Sequence, residues 1–338
     1  MRLGHVAVVV LVVVALLYVL DSPAPPGTMH LVEDALGNEA LVLEGVVGGR
    51  EMLFMVDTAY AGAPVLSTSY LATQARYGTV ADRYRAAVDA VRVVTPGERH
   101  AGLAAFLGAA GCRSYTSGCT MRLMGIGSTS EARGDLLLCP AVSFGSGANA
   151  LRGPDVFVTH PLPSSVHILT MDFLLHRAPC LVLPAQRALQ CHASVMQCAD
   201  FERLTTTFLG GSVKVPMAVG GTVLSIVLDT GSAAPLSLSR AAARSLGTCS
   251  TSGTRATQQG VHGERVCSDV LRASVRVGSI LLDDVQIFAN AGDVEGADGY
   301  AGMGLLRALD LLLAPDTVGV RRSGLPPRDS RAVAAGSC

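Results

Sequence analysis

Ser225-Ile226-Val227-Leu228-Asp229-Thr230-Gly231-Ser232 is the stretch whose reading decides the fold. A short, largely apolar run leads into an Asp followed by small residues. Branched aliphatic side chains suit a buried strand, and Thr-Gly-Ser suits a tight turn, so the stretch predicts a strand that delivers a carboxylate onto a turn. Upstream, Leu53-Phe54-Met55-Val56-Asp57-Thr58-Ala59-Tyr60 is a near copy. Gly48-Gly49 begins nine residues before Asp57, and Gly220-Gly221 begins nine before Asp229. Each Gly pair follows a largely apolar segment, Leu41 to Val47 and Val213 to Val219. Strand, Gly-Gly, strand predicts a hairpin, because a two-residue primed turn needs positive φ at both positions. Downstream, Ala63-Pro64-Val65-Leu66-Ser67 echoes Ala234-Pro235-Leu236-Ser237.

The two halves also end alike. Met171-Asp172-Phe173-Leu174-Leu175 and the apolar run to Pro184 match Met303-Gly304-Leu305-Leu306 and the run to Pro315, with a one-residue gap. This is the duplication of one long unit, not a short repeat period. Met171 lies 114 positions after Asp57, whereas Met303 lies 74 after Asp229. The first half therefore holds about forty extra residues, expected as loops and insertions around positions 80 to 160.

On these residues the chain resembles the aspartic peptidases of the pepsin and retropepsin group. Their mark is an apolar strand ending in Asp-Thr/Ser-Gly, followed much later by a hydrophobic-hydrophobic-Gly element. The second half carries Asp229-Thr230-Gly231-Ser232 and then Asp298-Gly299-Tyr300-Ala301-Gly302-Met303-Gly304, close to that pattern. The first half departs from it twice. Ala59 stands at the motif Gly, and Thr170, in Ile168-Leu169-Thr170, stands where a Gly is usual. The resemblance spans roughly residues 40 to 320 and implies a mostly β, bilobal fold made of two duplicated lobes.

The resemblance also implies the chemistry. Asp57 and Asp229 would meet across the lobes, and two carboxylates about 3 Å apart do not both ionise, so the pair shares a proton. The charged member takes a proton from a water held between them. The neutral member donates to the scissile carbonyl, and a tetrahedral diol collapses without a covalent enzyme intermediate. Thr58 and Thr230 would lock the two loops together through hydrogen bonds. Gly231 permits the turn and offers an amide. Ala59 also offers an amide, but strains the backbone if positive φ is needed there. Ser232 is placed to bond the outer oxygen of Asp229, a geometry Tyr60 is not expected to copy. Tyr115, between Cys112 and Cys119, is the candidate for a flap tyrosine; an ordinary loop tyrosine is the alternative. The expected activity is peptide-bond hydrolysis on a peptide or protein substrate by a monomeric unit. A fold that has lost activity and serves as a structural or binding module is the second reading, resting on Ala59 and Thr170.

Composition bounds the remainder. The 338 residues carry a net charge of −1, which gives no electrostatic footprint for nucleic acid. Lys214 is the only lysine. No cysteine or histidine group has metal-ligand spacing, and no cofactor is called. Val6 to Leu20 is an unbroken run of fifteen residues without a charge, preceded by Arg2 and followed by Asp21. It reads as an uncleaved signal anchor, with a cleaved signal peptide as the alternative, leaving the bulk of the chain on the luminal or extracellular side. Residues 21–35, rich in proline, read as a linker. Residues 36–191 read as the first lobe, 192–203 as the connection, 204–320 as the second lobe and 321–338 as a frayed tail. Nine cysteines fit oxidised pairs beyond a membrane. The short separations point to Cys112 with Cys119, Cys191 with Cys198, and Cys249 with Cys267, although spacing does not fix connectivity.

Overall fold

The computed structural model describes residues 29–34, 38–60, 62–73, 79–88, 95–125, 128–144, 151–160, 166–176, 178–191, 196–209, 212–246, 255–259, 265–289, 296–330 and 333–334. They build a mostly β molecule of three sheets. The first half contributes β1 Met29–Glu33, β2 Glu39–Val47, β3 Arg50–Asp57, β4 Val65–Ser67, β5 Arg113–Gly125, β6 Ser128–Phe144, β7 Leu151–His160 and β8 His167–Thr170. Their spatial order is β1-β2-β3-β8-β4-β7-β6-β5. Two further strands close this half, β9 Cys180–Leu183 and β10 Ala188–Cys191. The second half begins with β11 Glu202–Leu204 and continues through β12 Thr207–Leu209, β13 Ser212–Val219, β14 Thr222–Leu228 and β15 Leu236–Leu238. It goes on with β16 Arg255–Gln259, β17 Arg265–Val277, β18 Ile280–Ala289 and β19 Gly299–Ala301, then β20 Leu309–Ala314, β21 Thr317–Arg322 and β22 Val333–Ala334. Its main sheet runs β12-β13-β14-β19-β15-β18-β17-β16-β22, so strand for strand it repeats the order of the first half and adds β22 at the edge.

The hairpins predicted from Gly-Gly are equivalent elements. Gly48 and Gly49 have φ of 57° and 78°, and Gly220 and Gly221 have 54° and 91°. Val47 faces Arg50 across the first turn and Val219 faces Thr222 across the second, so both hairpins share one register. In each half the Asp-bearing strand then receives a parallel neighbour, β8 beside β3 and β19 beside β14. The halves join in the third sheet, of order β10-β9-β20-β21-β11, in which β9 and β20 run antiparallel with Val182 opposite Leu311. Leu181, Val182, Leu311, Leu312 and Leu313 are all buried there. This apolar seam holds the halves together through the hydrophobic effect. Lys214, on β13, is buried and its Nζ donates to Gly296 O at 2.7 Å.

The extra residues of the first half fall where expected, but much of them is helical. Helices run over Val80–Val88 and Pro96–Ala110, and the long β5–β6 hairpin takes the rest. Thr95-Pro96-Gly97-Glu98 announces the second of these helices in the sequence. Thr95 and Glu98 form a reciprocal capping box, Pro96 opens the first turn, and Gly111 closes the helix in the left-handed region. A Cβ on Gly102 would lie 2.8 Å from Ala72 backbone, so this helix packs close against the helix Thr68–Thr73.

Four expectations need correction. Residues 29–33, assigned to the linker, form β1 and pair along β2. Residues 202 and 203 of the supposed connection belong to β11, Glu202–Leu204, paired with β21. Residues 321–330 of the supposed frayed tail are docked: Arg328 N–H donates to Gly304 O at 2.7 Å, and Arg328 Nη1 reaches Glu33 at 2.7 Å and Glu39 at 3.0 Å. Two of the expected cysteine pairings, Cys112 with Cys119 and Cys191 with Cys198, are replaced by others, while Cys249 lies outside the described residues. Cys112 bonds Cys139 and Cys180 bonds Cys191, while Cys198 is free. Register is the reason: Arg113 faces Leu138, which brings Cys112 to Cys139, and Cys180 faces Cys191 directly. Cys267 is also disulfide-bonded. Among the described residues no helix is long and apolar enough to cross a membrane. Val6 to Leu20, which carries the anchor reading, lies outside them.

Candidate active site

Strand β3 ends at Asp57 and β14 ends just before Asp229, and the two turns face each other. Thr58 N–H donates to Thr230 Oγ1 at 3.2 Å, and Thr230 N–H donates to Thr58 Oγ1 at 3.0 Å. Each threonine hydroxyl then donates to the opposite strand, Thr58 to Leu228 O at 2.7 Å and Thr230 to Val56 O at 2.6 Å. Thr58 and Thr230 are both buried. Four buried bonds of this kind stabilise by about 1 kcal/mol each, and leaving one donor unpaired costs more than that. Ser212 Oγ adds a fifth tie, donating to Ala59 O at 2.7 Å. The interlock expected of Thr58 and Thr230 is therefore present as geometry.

The lock brings the carboxylates together. A Cβ built on Gly231 would lie 2.7 Å from Asp57 Oδ2 and 3.2 Å from Asp229 Oδ1, so both side chains converge on one point. Each Asp accepts two amides on its Oδ1. Asp57 takes Ala59 N–H at 2.9 Å and Tyr60 N–H at 3.1 Å; Asp229 takes Gly231 N–H at 3.0 Å and Ser232 N–H at 3.1 Å. Burial pushes Asp57 up from 3.8 to about 6 against the pull of its two amides. Burial, and then the charge of Asp57, raises Asp229 well above its usual range, again against two amides. Asp57 and Asp229 are each half-buried as residues. Such a pair can hold one proton and one charge at the same time, the requirement for activating a water and protonating a carbonyl oxygen together.

Three details differ from the sequence reading. The bond that Ser232 makes to Asp229 comes from its amide, and Tyr60 copies that bond with its own amide at the same 3.1 Å. Ala59 lies outside the left-handed region, as does Gly231, so a side chain at 59 brings no φ strain. What Gly231 supplies is space for the Asp57 carboxylate. Tyr115 stands at the base of the β5–β6 hairpin, where the register shifts between Ser114 and Thr116, and it is 79% exposed.

The tyrosines that feel the dyad are Tyr60 and Tyr300. Burial and the charge of Asp57 push Tyr60 up to about 12. Burial and the charges of Asp229 and Asp57 push Tyr300 up to about 12. The sequence held a signal for Tyr300, since it sits two residues before Gly302 in the element that closes the second motif.

Thr170 is accommodated by a different bracing of its half. Asp57 faces Thr170 across β3 and β8, and Leu228 faces Ala301 across β14 and β19, so Thr170 corresponds to Gly302. A Cβ on Gly302 would lie 2.3 Å from Ala234 O. In the first half the side chain exists, and Thr170 Oγ1 donates at 2.6 Å to Gly62 O, the counterpart of Ala234 O. The same oxygen accepts Phe173 N–H at 3.3 Å and so caps the helix Met171–Leu175.

No family model matches the chain, and no curated protein matches it. Among solved structures the chain is similar to a retropepsin-like aspartic protease from Rickettsia conorii, at 18% identity over 36% of this chain and 93% of that one, with a TM-score of 0.29. Among the described residues no group of histidine, cysteine and carboxylate side chains is arranged to hold a metal ion.

Proposed function

We propose that this chain is an aspartic endopeptidase in which Asp57 and Asp229 share one proton and activate a water. The observation that supports it is the reciprocal Thr58–Thr230 lock, which aims two half-buried, amide-braced aspartates at a single point. The ionised Asp takes a proton from the water as oxygen attacks the peptide carbonyl. The protonated Asp gives its proton to the carbonyl oxygen, and the diol collapses with proton transfer to the leaving amine. No group is left on the enzyme. The amides of Ala59, Tyr60, Gly231 and Ser232 fix the carboxylates, so little reorganisation accompanies the reaction.

Asp57→Asn and Asp229→Asn should each reduce peptide hydrolysis by several orders of magnitude while leaving the thermal melt in place. The double variant should be no worse than either single one, because one loss already removes the shared proton. A wild-type protein that cleaves no member of a broad peptide library between acidic and neutral pH, or cleaves it without needing Asp229, rules the reading out.

The same proposal places the protein at a membrane through Val6 to Leu20, with the catalytic unit on the luminal or extracellular side. The chain should then stay with the membrane fraction through high-salt and alkaline washes. Recovery of a soluble chain that starts near residue 25 would show instead that the segment is cut off.

A further inference from the structure

The duplication supplies an internal ruler for the surroundings of the dyad. In parallel strands, paired residues share a face, and residues two apart on one strand share a face as well. Tyr300 pairs with Val227, two residues before Asp229, and with Ser237 on its other side. It therefore stands on the same face of the sheet as Asp229. Its first-half counterpart is Ile168, which pairs with Met55, two residues before Asp57, and with Val65. The loop residue three after each Asp completes the set, Tyr60 in the first half and Ser232 in the second. Tyr60 packs against the buried pair Val65 and Ile168.

The halves thus fill the same place by opposite means. The first uses a small strand residue and a large loop residue, Ile168 with Tyr60. The second uses a large strand residue and a small loop residue, Tyr300 with Ser232. Each carboxylate consequently has one phenol ring beside it, and Tyr300 feels the charge of both aspartates. Neither ring is freely exposed: Tyr300 is 9% exposed and Tyr60 is half-buried.

We propose that Tyr300 and Tyr60 are the specificity-determining residues of this site, closing the space beside the dyad so that it admits peptide bonds flanked by small side chains. The inference rests on the peptidase reading and adds the substrate class to it. An aromatic ring in each wall leaves little room for a branched or aromatic residue next to the scissile bond. Pocket volume discriminates by about 10- to 200-fold per methylene-sized change.

The chain provides its own test substitutions, since each half already carries the other's solution on the same scaffold. Tyr300→Ile copies Ile168 and Tyr60→Ser copies Ser232. Full-length wild type, both variants, Tyr300→Phe and Asp229→Asn would be profiled with quenched peptides varied at the two residues flanking the cleaved bond. Wild type should favour Gly, Ala and Ser over Leu and Phe. Tyr300→Ile should raise the Leu-to-Ala ratio of kcat/KM at one flanking position by about tenfold or more, and Tyr60→Ser should do so at the other. Tyr300→Phe, which keeps the ring, should retain the wild-type preference. Cleavage that depends on Asp229 but shows the same profile in Tyr300→Ile as in wild type overturns this inference alone. A wild type that already prefers Leu or Phe overturns it as well. Absence of any Asp229-dependent cleavage overturns the peptidase reading and this inference with it.

Discussion

At Thr170 and Gly302 one backbone position is solved in two ways. The second half needs Gly302 because carbonyl oxygens crowd the missing Cβ, while the first half moves that crowding into a hydrogen bond from a hydroxyl. The position is therefore variable by exchange of bonding, and Thr170 gives no reason to expect a dead site. A second residue matters for the response to pH. His167 is fully buried; Nδ1 accepts Ser67 N–H at 2.9 Å, and Nε2 has no partner. Burial holds its imidazole down at about 3, against 6.5 for the free group. It contributes stability present above pH 6.5 and lost as pH falls through the window between 6.5 and about 3. Asp57 has the opposite sign: raised to about 6, it contributes stability present below 3.8 and lost as pH rises through 6. The two slopes oppose each other between roughly pH 4 and 6. His167→Gln keeps an acceptor for Ser67 and removes only the acid-side loss. It should recover on the order of 3 kcal/mol between pH 7 and 4 relative to wild type. Urea melts at the two pH values check this, and an unchanged difference between them rejects it.

Among the elements, the C-terminal strap is the clearest product of tertiary context. Residues 321–330 are polar and proline-containing, a composition that gives no apolar pattern from which to read a strand or helix. What holds them is geometry supplied by distant residues. Glu39 is buried and accepts Arg307 at 2.7 Å and Arg328 at 3.0 Å, while Ser330 bonds Asn38 at 3.1 Å and Gln286 at 3.0 Å. The strap thus buckles the start of the first half to the helix Met303–Leu306 of the second. Arg328→Ala leaves Glu39 with one cation in place of two and should lower stability by about 1–3 kcal/mol. Denaturant unfolding measures this, and a change within about 0.5 kcal/mol would show that the strap is held by its backbone alone. The disulfides teach a similar lesson. Spacing along the chain suggested local loops, whereas opposition across β5–β6 and β9–β10 chose the partners.

At the scale of the molecule, the duplication was legible because it was written in hard constraints: paired glycines at positive φ, an Asp after an apolar strand, an Ala-Pro echo downstream. Asp57, Thr58, Asp229, Thr230 and Gly231 were found on that pattern, and the structure brings them to one place. Tyr300 was not singled out, because its meaning depends on which strand lies beside β14, a pairing between residues more than seventy positions apart. Tyr115 stands where the resemblance implies a flap tyrosine, yet it is exposed together with its neighbours at the base of the β5–β6 hairpin. Lys214 shows what one buried side chain implies for the whole. As the sole lysine, buried on β13 with its Nζ donating to Gly296 O, it leaves the folded chain with its one side-chain amine largely shielded. An amine-reactive ester should label native protein at the α-amino group only and reach Lys214 when β13 opens. The rate of that second modification, read by mass spectrometry, would report opening of the second half without any engineered probe. Labelling of Lys214 in native protein as fast as a free amine would refute its burial.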